Sequence, residues 1–226
     1  MKSLIDGIEL FQHQVFPEYR ELFQALAAQQ SPEVLLVTCS DSRIDPSLVT
    51  QAKPGELFLV RNAGNIVPPY PAGGGEGATI EYALRALGVR NIVVCGHTDC
   101  GAMRGLLHPE TIGALPTLRH WLKTADAART VLDELGPEAG ESVRLRKLTE
   151  ANVLLQMENL RTHPAVCEAL ERGDLHILGA LYEIESGAFD LYCPRSGRFA
   201  PLREVDLGDL SANPPAEQAV APDSSD

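Results

Sequence analysis

Long apolar runs are missing from this sequence of 226 residues. No stretch approaches the ~20 consecutive apolar residues that a helix needs to cross a bilayer. Asp6, Glu9 and His13 interrupt the N-terminal region, where a signal peptide would need an unbroken apolar core. We therefore expect no membrane partner and a chain that stays where it is made, in the cytoplasm or inside a protein shell there.

A surplus of positive charge is also missing. The formal net charge is −12, so a polyanion would be repelled and a nucleic-acid partner is not expected. The five cysteines are an odd number, which argues against a disulfide framework. Because there is no Cys-x-x-Cys string, a thiol redox enzyme has little support. Spaced cysteines and histidines then indicate metal ligands first.

Three short apolar runs, 34–37, 57–60 and 92–94, predict strands buried on both faces. A Gly/Pro-rich loop over 68–77 and a helical pattern separate the second run from the third. Buried strands that alternate with helices imply parallel βαβ units, so the fold class is α/β. A later strand over roughly 176–184 precedes a short extended piece.

The ends of the chain predict appendages to this body. Residues 1–30 indicate two helical pieces with a break near Pro17, without a core of their own. They must pack on the body or on another subunit. We expect one domain over 1–203 and an acidic, disordered tail over 204–226.

Two polar clusters directly follow predicted strands. Cys39-Ser40-Asp41-Ser42-Arg43 comes after the first, and His97-Thr98-Asp99-Cys100-Gly101 after the third. Ligands of an open parallel sheet bind outside the carboxyl ends of its strands, so the two clusters can converge. Two thiolates and an imidazole suit Zn²⁺, and three protein ligands leave one position for water. We interpret Cys95, inside the apolar strand, as a small core residue.

Asp41 and Arg43 are expected to form a charge-assisted fork beside this metal. In that interpretation Arg43 occupies one carboxylate oxygen, and the other oxygen accepts from a zinc-bound hydroxide. The lone pair of that hydroxide would then point at an incoming carbon atom of a small electrophile. Each cluster alone has a plainer interpretation, as a polar loop with a surface ion pair or as a capped helix start.

At these residues the chain resembles the β-class carbonic anhydrases. The motifs are Cys39-Ser40-Asp41-Ser42-Arg43, Arg61-Asn62-Ala63-Gly64-Asn65 and His97-Thr98-Asp99-Cys100-Gly101, and the resemblance extends to about residue 192. It implies reversible, zinc-dependent hydration of CO2 to bicarbonate and a proton, with one Zn²⁺ per subunit. By this resemblance Cys39, His97 and Cys100 hold the metal, and Asp41 with Arg43 form the catalytic dyad.

The resemblance also implies substrate-binding residues and an assembly. Gln30 and the Gly101 N–H match donors to bicarbonate, while Phe58, Ala63 and Tyr82 match pocket walls, Tyr82 reaching in from the neighbouring subunit. The implied fold has about four parallel strands plus an antiparallel extension, flanked by helices. Its N-terminal helices reach onto a partner in a homodimer or a dimer of dimers. The sequence around these motifs is similar to that of family members from cyanate operons and from carboxysomes. This similarity makes carboxysome shell proteins candidate partners.

Two features of this sequence depart from parts of that family. Leu36 and Thr38 replace the Trp and Gly of members whose aspartate ligates zinc, so we expect the open form with Asp41 paired to Arg43. Leu178 and Ala180 replace a His and a Trp in the late strand, which leaves the packing there undetermined. Two rival functions are a CS2 or COS hydrolase on the same fold, and a non-catalytic zinc-stabilised shell or scaffold protein.

Overall fold

A six-stranded sheet forms the centre of the computed structural model, which describes residues 1–135 and 138–206. The strand order is β2-β1-β3-β4-β5-β6. The strands are Val34–Cys39 (β1), Leu57–Asn62 (β2), Asn91–His97 (β3), His176–Tyr182 (β4), Phe189–Cys193 (β5) and Arg198–Pro201 (β6). The first four in spatial order are parallel, and β5 and β6 extend the sheet in antiparallel fashion. The predicted α/β fold is confirmed.

Nine α-helices lie in the described residues. They are Lys2–Leu10 (α1), Phe16–Ala28 (α2), Pro46–Thr50 (α3), Gly74–Glu81 (α4), Gly101–Leu107 (α5), Pro116–Leu122 (α6), Val131–Glu134 (α7), Glu141–Leu160 (α8) and Pro164–Glu171 (α9). Five-residue π-helical segments follow α1 and α4, at Phe11–Val15 and Tyr82–Ala86. Short 3-10 turns lie at Pro109–Ile112, Lys123–Thr130 and Leu202–Glu204. Among the helices described, none is long and apolar enough to cross a membrane.

The main core lies between one face of the sheet and α8. Leu35 and Val94 from the strands are fully buried against Val153 and Leu160 of the helix. Burial of each such side chain contributes about 1.5–3 kcal/mol. At Gly96, a Cβ atom would lie 2.8 Å from Val153 Cγ2, so glycine there lets α8 lie close to the sheet.

On the opposite face of the sheet, fewer buried residues pack together than in the main core. Leu36, Cys95, Ala180 and Leu191 form a small buried cluster there, and a cavity of about 340 Å³ lies along it. Leu178 and Ala180, the two departures in the late strand, both line this cavity. The Ala180 side chain is smaller than the Trp that it replaces, which is consistent with the space on this face of the chain.

The N-terminal arm, residues 1–28, contains no buried residue in α1, the π-helical segment or α2. Phe11, Phe16 and Phe23 contact one another, with ring centroids 5.7–6.2 Å apart. The predicted break near Pro17 is wrong, because the helix continues through it. Pro17 lies in the first turn of α2, where its missing N–H breaks no hydrogen bond of that helix.

Three smaller expectations also meet the structure. The loop predicted over 68–77 is shorter, since α4 begins at Gly74 and a Gly77 N–H donates to the Gly73 carbonyl at 2.7 Å. Strand β6 was not predicted from its short sequence. The predicted tail, 204–226, lies outside the described residues from 207 onward.

Candidate metal centre

The three predicted metal ligands lie together at the carboxyl ends of β1 and β3. The strands are parallel neighbours, with Thr38 beside Cys95. Cys39 is the last residue of β1, His97 is the last residue of β3, and Cys100 follows in the next turn. The sheet thereby brings side chains that are 58 and 61 positions apart in the sequence to one point.

The geometry of the three ligands fits one tetrahedral metal ion. Their donor atoms all lie within 4.8 Å of one another, and all three residues are buried. Cys39 Sγ lies 3.9 Å from Cys100 Sγ, while two thiolates on a tetrahedral Zn²⁺ would be about 3.8 Å apart at Zn–S bonds of about 2.3 Å. The spacing is far longer than a disulfide bond of about 2.05 Å.

The His97 ring presents a free lone pair to the two sulfurs. Its Nδ1 lies 2.8 Å from the Thr98 carbonyl oxygen, which can only accept, so Nδ1 carries the hydrogen. Nε2 then carries the lone pair, and it is buried without a hydrogen-bond partner among the described residues. A buried, unpaired acceptor is costly, and coordination of a metal would satisfy it.

The local hydrogen bonds favour a thiolate at Cys39. A hydrogen bond from the Cys100 thiol lowers the pKa of Cys39, and the Gly64 N–H lowers it further. That N–H donates to Cys39 Sγ at 3.4 Å. By contrast, burial raises the pKa of Cys95 to about 12, and its side chain lies in the small cluster across the sheet. The interpretation of Cys95 as a core residue is confirmed.

Asp41 and Arg43 form the expected ion pair at the edge of this centre. Arg43 Nε donates to Asp41 Oδ1 at 2.9 Å and Nη2 donates to Oδ2 at 2.8 Å. The expectation that Arg43 occupies one oxygen is wrong, because the guanidinium binds both in a fork. Hydrogen bonds from Arg43 hold the pKa of Asp41 well below its usual range.

One oxygen of Asp41 lies close to the metal site and has a lone pair that Arg43 does not use. Oδ1 accepts two N–H groups of Arg43, from Nε and from the backbone, whereas Oδ2 accepts one. Oδ2 lies 3.8 Å from His97 Nε2. A carboxylate oxygen has two lone pairs, so Oδ2 keeps one for a donor at this centre.

Arg61 holds the loop that carries Asp41, a role that the sequence analysis missed. Its guanidinium donates to the carbonyls of Cys39, Asp41 and Ile44 at 2.9–3.1 Å. Arg61 stands at the start of the second motif, Arg61-Asn62-Ala63-Gly64-Asn65, but nothing in its sequence context shows which carbonyls it reaches. One side chain thus fixes three points of the loop.

Of the predicted substrate-binding residues, Ala63 and Gly101 lie near the three ligands. Ala63 packs against the cluster that contains Cys39 and Cys100, and its carbonyl accepts from Trp121 Nε1 at 2.9 Å. Gly101 is the first residue of α5, directly after Cys100.

Gln30, Phe58 and Tyr82 lie toward the other end of the sheet. Phe58 pairs with Leu35, whereas Cys39 pairs with Asn62, and four residues of strand span about 13 Å. The Tyr82 ring lies 6.0 Å from that of Phe58, and Gln30 precedes the amino end of β1. Within one chain these three residues are therefore not brought to the metal centre.

Comparison with known proteins identifies the family. Residues 34–189 match the family model described as carbonic anhydrase. The solved structure of the β-carbonic anhydrase CcaA superposes with a TM-score of 0.86 at 42% identity, covering 89% of this chain and 91% of that chain. The chain belongs to the β-class carbonic anhydrases.

Other carbonic anhydrases extend the match over most of the chain. A carbonic anhydrase of Pseudomonas aeruginosa is 48% identical over 90% of this chain and 93% of its own length. A tetrameric β-carbonic anhydrase of Sordaria macrospora superposes with a TM-score of 0.75 at 29% identity, covering 89% of this chain and 95% of that chain. The chain is thus an enzyme of a family whose general reaction is CO2 hydration.

Proposed function

We propose that this carbonic anhydrase hydrates CO2 to bicarbonate and a proton with one zinc ion held by Cys39, His97 and Cys100. The observation that carries the proposal is the buried Cys-His-Cys triad, with an unpaired His97 Nε2 beside an intact Asp41–Arg43 fork. When bound, zinc supplies a Lewis acid that lowers the pKa of a water and so provides a nucleophile near neutral pH.

Asp41 orients the nucleophile in this proposal. It stays ionised because Arg43 lowers its pKa, so its oxygens can only accept hydrogen bonds. The free lone pair of Oδ2 accepts the hydrogen that the nucleophile retains, which directs the nucleophile's own lone pair at the carbon of CO2. Arg43 also donates to the Asp99 carbonyl at 3.1 Å, and this second contact keeps the fork fixed relative to Cys100.

Hydrogen-bond donors near the three metal ligands would bind the product, bicarbonate. The Gly101 N–H and the Gln30 amide would receive the charge that develops on bicarbonate, while Ala63 and Phe58 would form apolar walls for CO2. Phe58 lies about 13 Å along its strand from the end that holds the ligands, and Gln30 and Tyr82 lie toward the same far end of the sheet. We therefore propose that these three residues serve the centre of a second subunit.

The N-terminal arm supports that assembly. The arm exposes Leu4, Ile5 and Ile8, while the apolar cavity beside Leu178 and Ala180 is left open on the body. We propose that the arm of one subunit covers this face of the other. The proposal agrees with the tetrameric β-carbonic anhydrase among the neighbours.

Metal analysis and stopped-flow CO2 hydration test the function. We expect one zinc per chain and fast hydration at mildly alkaline pH in the wild type. Asp41→Asn should keep the zinc and lower turnover about 10- to 100-fold, as loss of an outer partner of a metal site does. The matched control is Asp126→Asn, at an exposed carboxylate, which should change neither quantity.

Two results would contradict the proposal. A zinc-loaded wild type that does not accelerate CO2 hydration would exclude the reaction, and full turnover in Asp41→Asn would remove Asp41 from it. The rival functions, CS2 or COS hydrolysis and a non-catalytic scaffold, are not favoured by relatives that are carbonic anhydrases.

A further inference from the structure

Three amide side chains on α8 form a buried row that the proposed reaction does not use. Asn152, Gln156 and Asn159 are spaced by four and three residues, which places them on one face of the helix. Asn152 and Gln156 are fully buried, and Asn159 is partly buried. We name these three residues the amide ladder.

The ladder is linked by hydrogen bonds that fix the direction of each amide. Asn159 Nδ2 donates to Gln156 Oε1 at 3.1 Å, and Gln156 Nε2 donates to Asn152 Oδ1 at 2.8 Å. Asn152 Nδ2 then donates to the Gly64 carbonyl at 3.0 Å. Buried polar groups need partners, and every amide of the ladder has found one.

The ladder holds the loop after β2 at both ends. Asn152 binds Gly64 at the start, while Gln156 Oε1 accepts from the Val67 N–H at 2.8 Å and Asn159 donates to the Val67 carbonyl at 2.9 Å. The Gly64 N–H in turn donates to Cys39 Sγ at 3.4 Å. A continuous hydrogen-bonded path therefore runs from the middle of α8 to a sulfur of the metal centre.

We propose that Asn152 is a positioning residue for the metal ligand Cys39, acting through Gly64. Asn152 holds the Gly64 carbonyl, and this fixes the Gly64 backbone so that the N–H of the same residue is directed at Cys39 Sγ. An N–H donor to a thiolate withdraws charge from it, so the ladder sets both the place of Cys39 and the strength with which its sulfur binds the metal. The inference rests on the proposed zinc site.

Asn152→Asp tests the proposal with a side chain of almost the same shape. At alkaline pH, where the new carboxylate is ionised, its oxygen has no hydrogen to give to the Gly64 carbonyl, so the two oxygens repel and the N–H is turned away from Cys39. We expect a zinc affinity about 10- to 100-fold weaker in a chelator competition. We also expect a shifted thiolate-to-metal charge-transfer band in the Co²⁺-substituted protein.

The matched control is Thr149→Val on the same helix. Thr149 is also buried, but its hydroxyl donates only to the Leu145 carbonyl at 2.8 Å, outside the ladder. The Thr149→Val variant should leave the zinc affinity and the charge-transfer band unchanged. If Asn152→Asp does not fold, Asn159→Ala is the deciding variant. It removes the amide at the far end of the ladder, with its bonds to Gln156 and to the Val67 carbonyl. We expect it to shift the zinc affinity and the charge-transfer band in the same direction as Asn152→Asp, but by less.

The outcomes separate this inference from the zinc site itself. A folded Asn152→Asp with wild-type affinity and band would overturn it, and so would equal losses in Thr149→Val, which would show general loosening of α8. With Asn159→Ala as the deciding variant, unchanged values would overturn it as well. A wild type that binds no zinc would instead contradict the proposed function.

Discussion

Gly64 shows how the metal centre depends on a residue that binds no metal. Its backbone has φ +86, in the region that favours glycine. A Cβ atom at this position would lie 3.0 Å from Met103 Cε and 3.2 Å from Ala102 Cβ. The absence of a side chain therefore lets the loop approach α5 closely enough for its N–H to reach Cys39.

Gly64→Ala should lower the free energy of unfolding through two separate terms. The left-handed backbone costs about 1–2 kcal/mol for a residue with a Cβ, and the crowded methyl group adds about 1–3 kcal/mol. Gly173→Ala isolates the first term, because Gly173 has φ +72 with nothing within 4 Å of its Cβ. Urea unfolding of both variants measures the difference, and equal losses would show that crowding at Gly64 contributes nothing.

At the scale of elements, the sequence predicts the strands and the site far better than it predicts the contacts between them. Three apolar runs and the motifs after them placed Cys39, His97 and Cys100 correctly, because adjacent parallel strands end at one edge of a sheet. The hydrogen bonds of Arg61 to the Cys39, Asp41 and Ile44 carbonyls, which we name the arginine clamp, were not predictable, since Arg61 reaches Ile44 across 17 positions. Neither was the distance of Phe58 from the centre, which depends on strand register.

Arg61→Lys should loosen the loop between β1 and α3. A lysine ammonium is a single point donor and cannot replace a planar guanidinium that binds three carbonyls. We expect zinc to stay bound while turnover falls about tenfold or more, because Asp41 loses its fixed position. Metal analysis with stopped-flow hydration measures both quantities.

The control for this variant is Arg90→Lys. The Arg90 side chain is exposed and makes no hydrogen bond or ion pair with any residue in the described part of the chain. It should leave turnover unchanged. If Arg61→Lys retained full turnover, the clamp would have no part in placing Asp41.

At the scale of the whole molecule, the proposed function treats the single chain as an incomplete enzyme. Its arm buries none of its apolar residues, one face of its sheet borders an open cavity, and its proposed substrate residues lie at both ends of the sheet. These features become consistent in an assembly of at least two chains, where exposed apolar surfaces meet. The predicted cytoplasmic or carboxysomal location and shell partners stay predictions.

Leu178→Glu should separate the subunits without removing the metal. Leu178 lines the apolar cavity on β4, and burial of an unpaired carboxylate there is costly, so the arm of a second subunit would no longer bind. Light scattering should show a smaller particle than the wild type.

Zinc content should stay at one per chain because all three ligands come from one chain. Turnover should fall strongly, because the partner's Gln30, Phe58 and Tyr82 are lost. The control is Val143→Glu, at an exposed site on α8, which should keep both the assembly and the turnover. A monomeric Leu178→Glu with wild-type turnover would show that each chain completes its own active site.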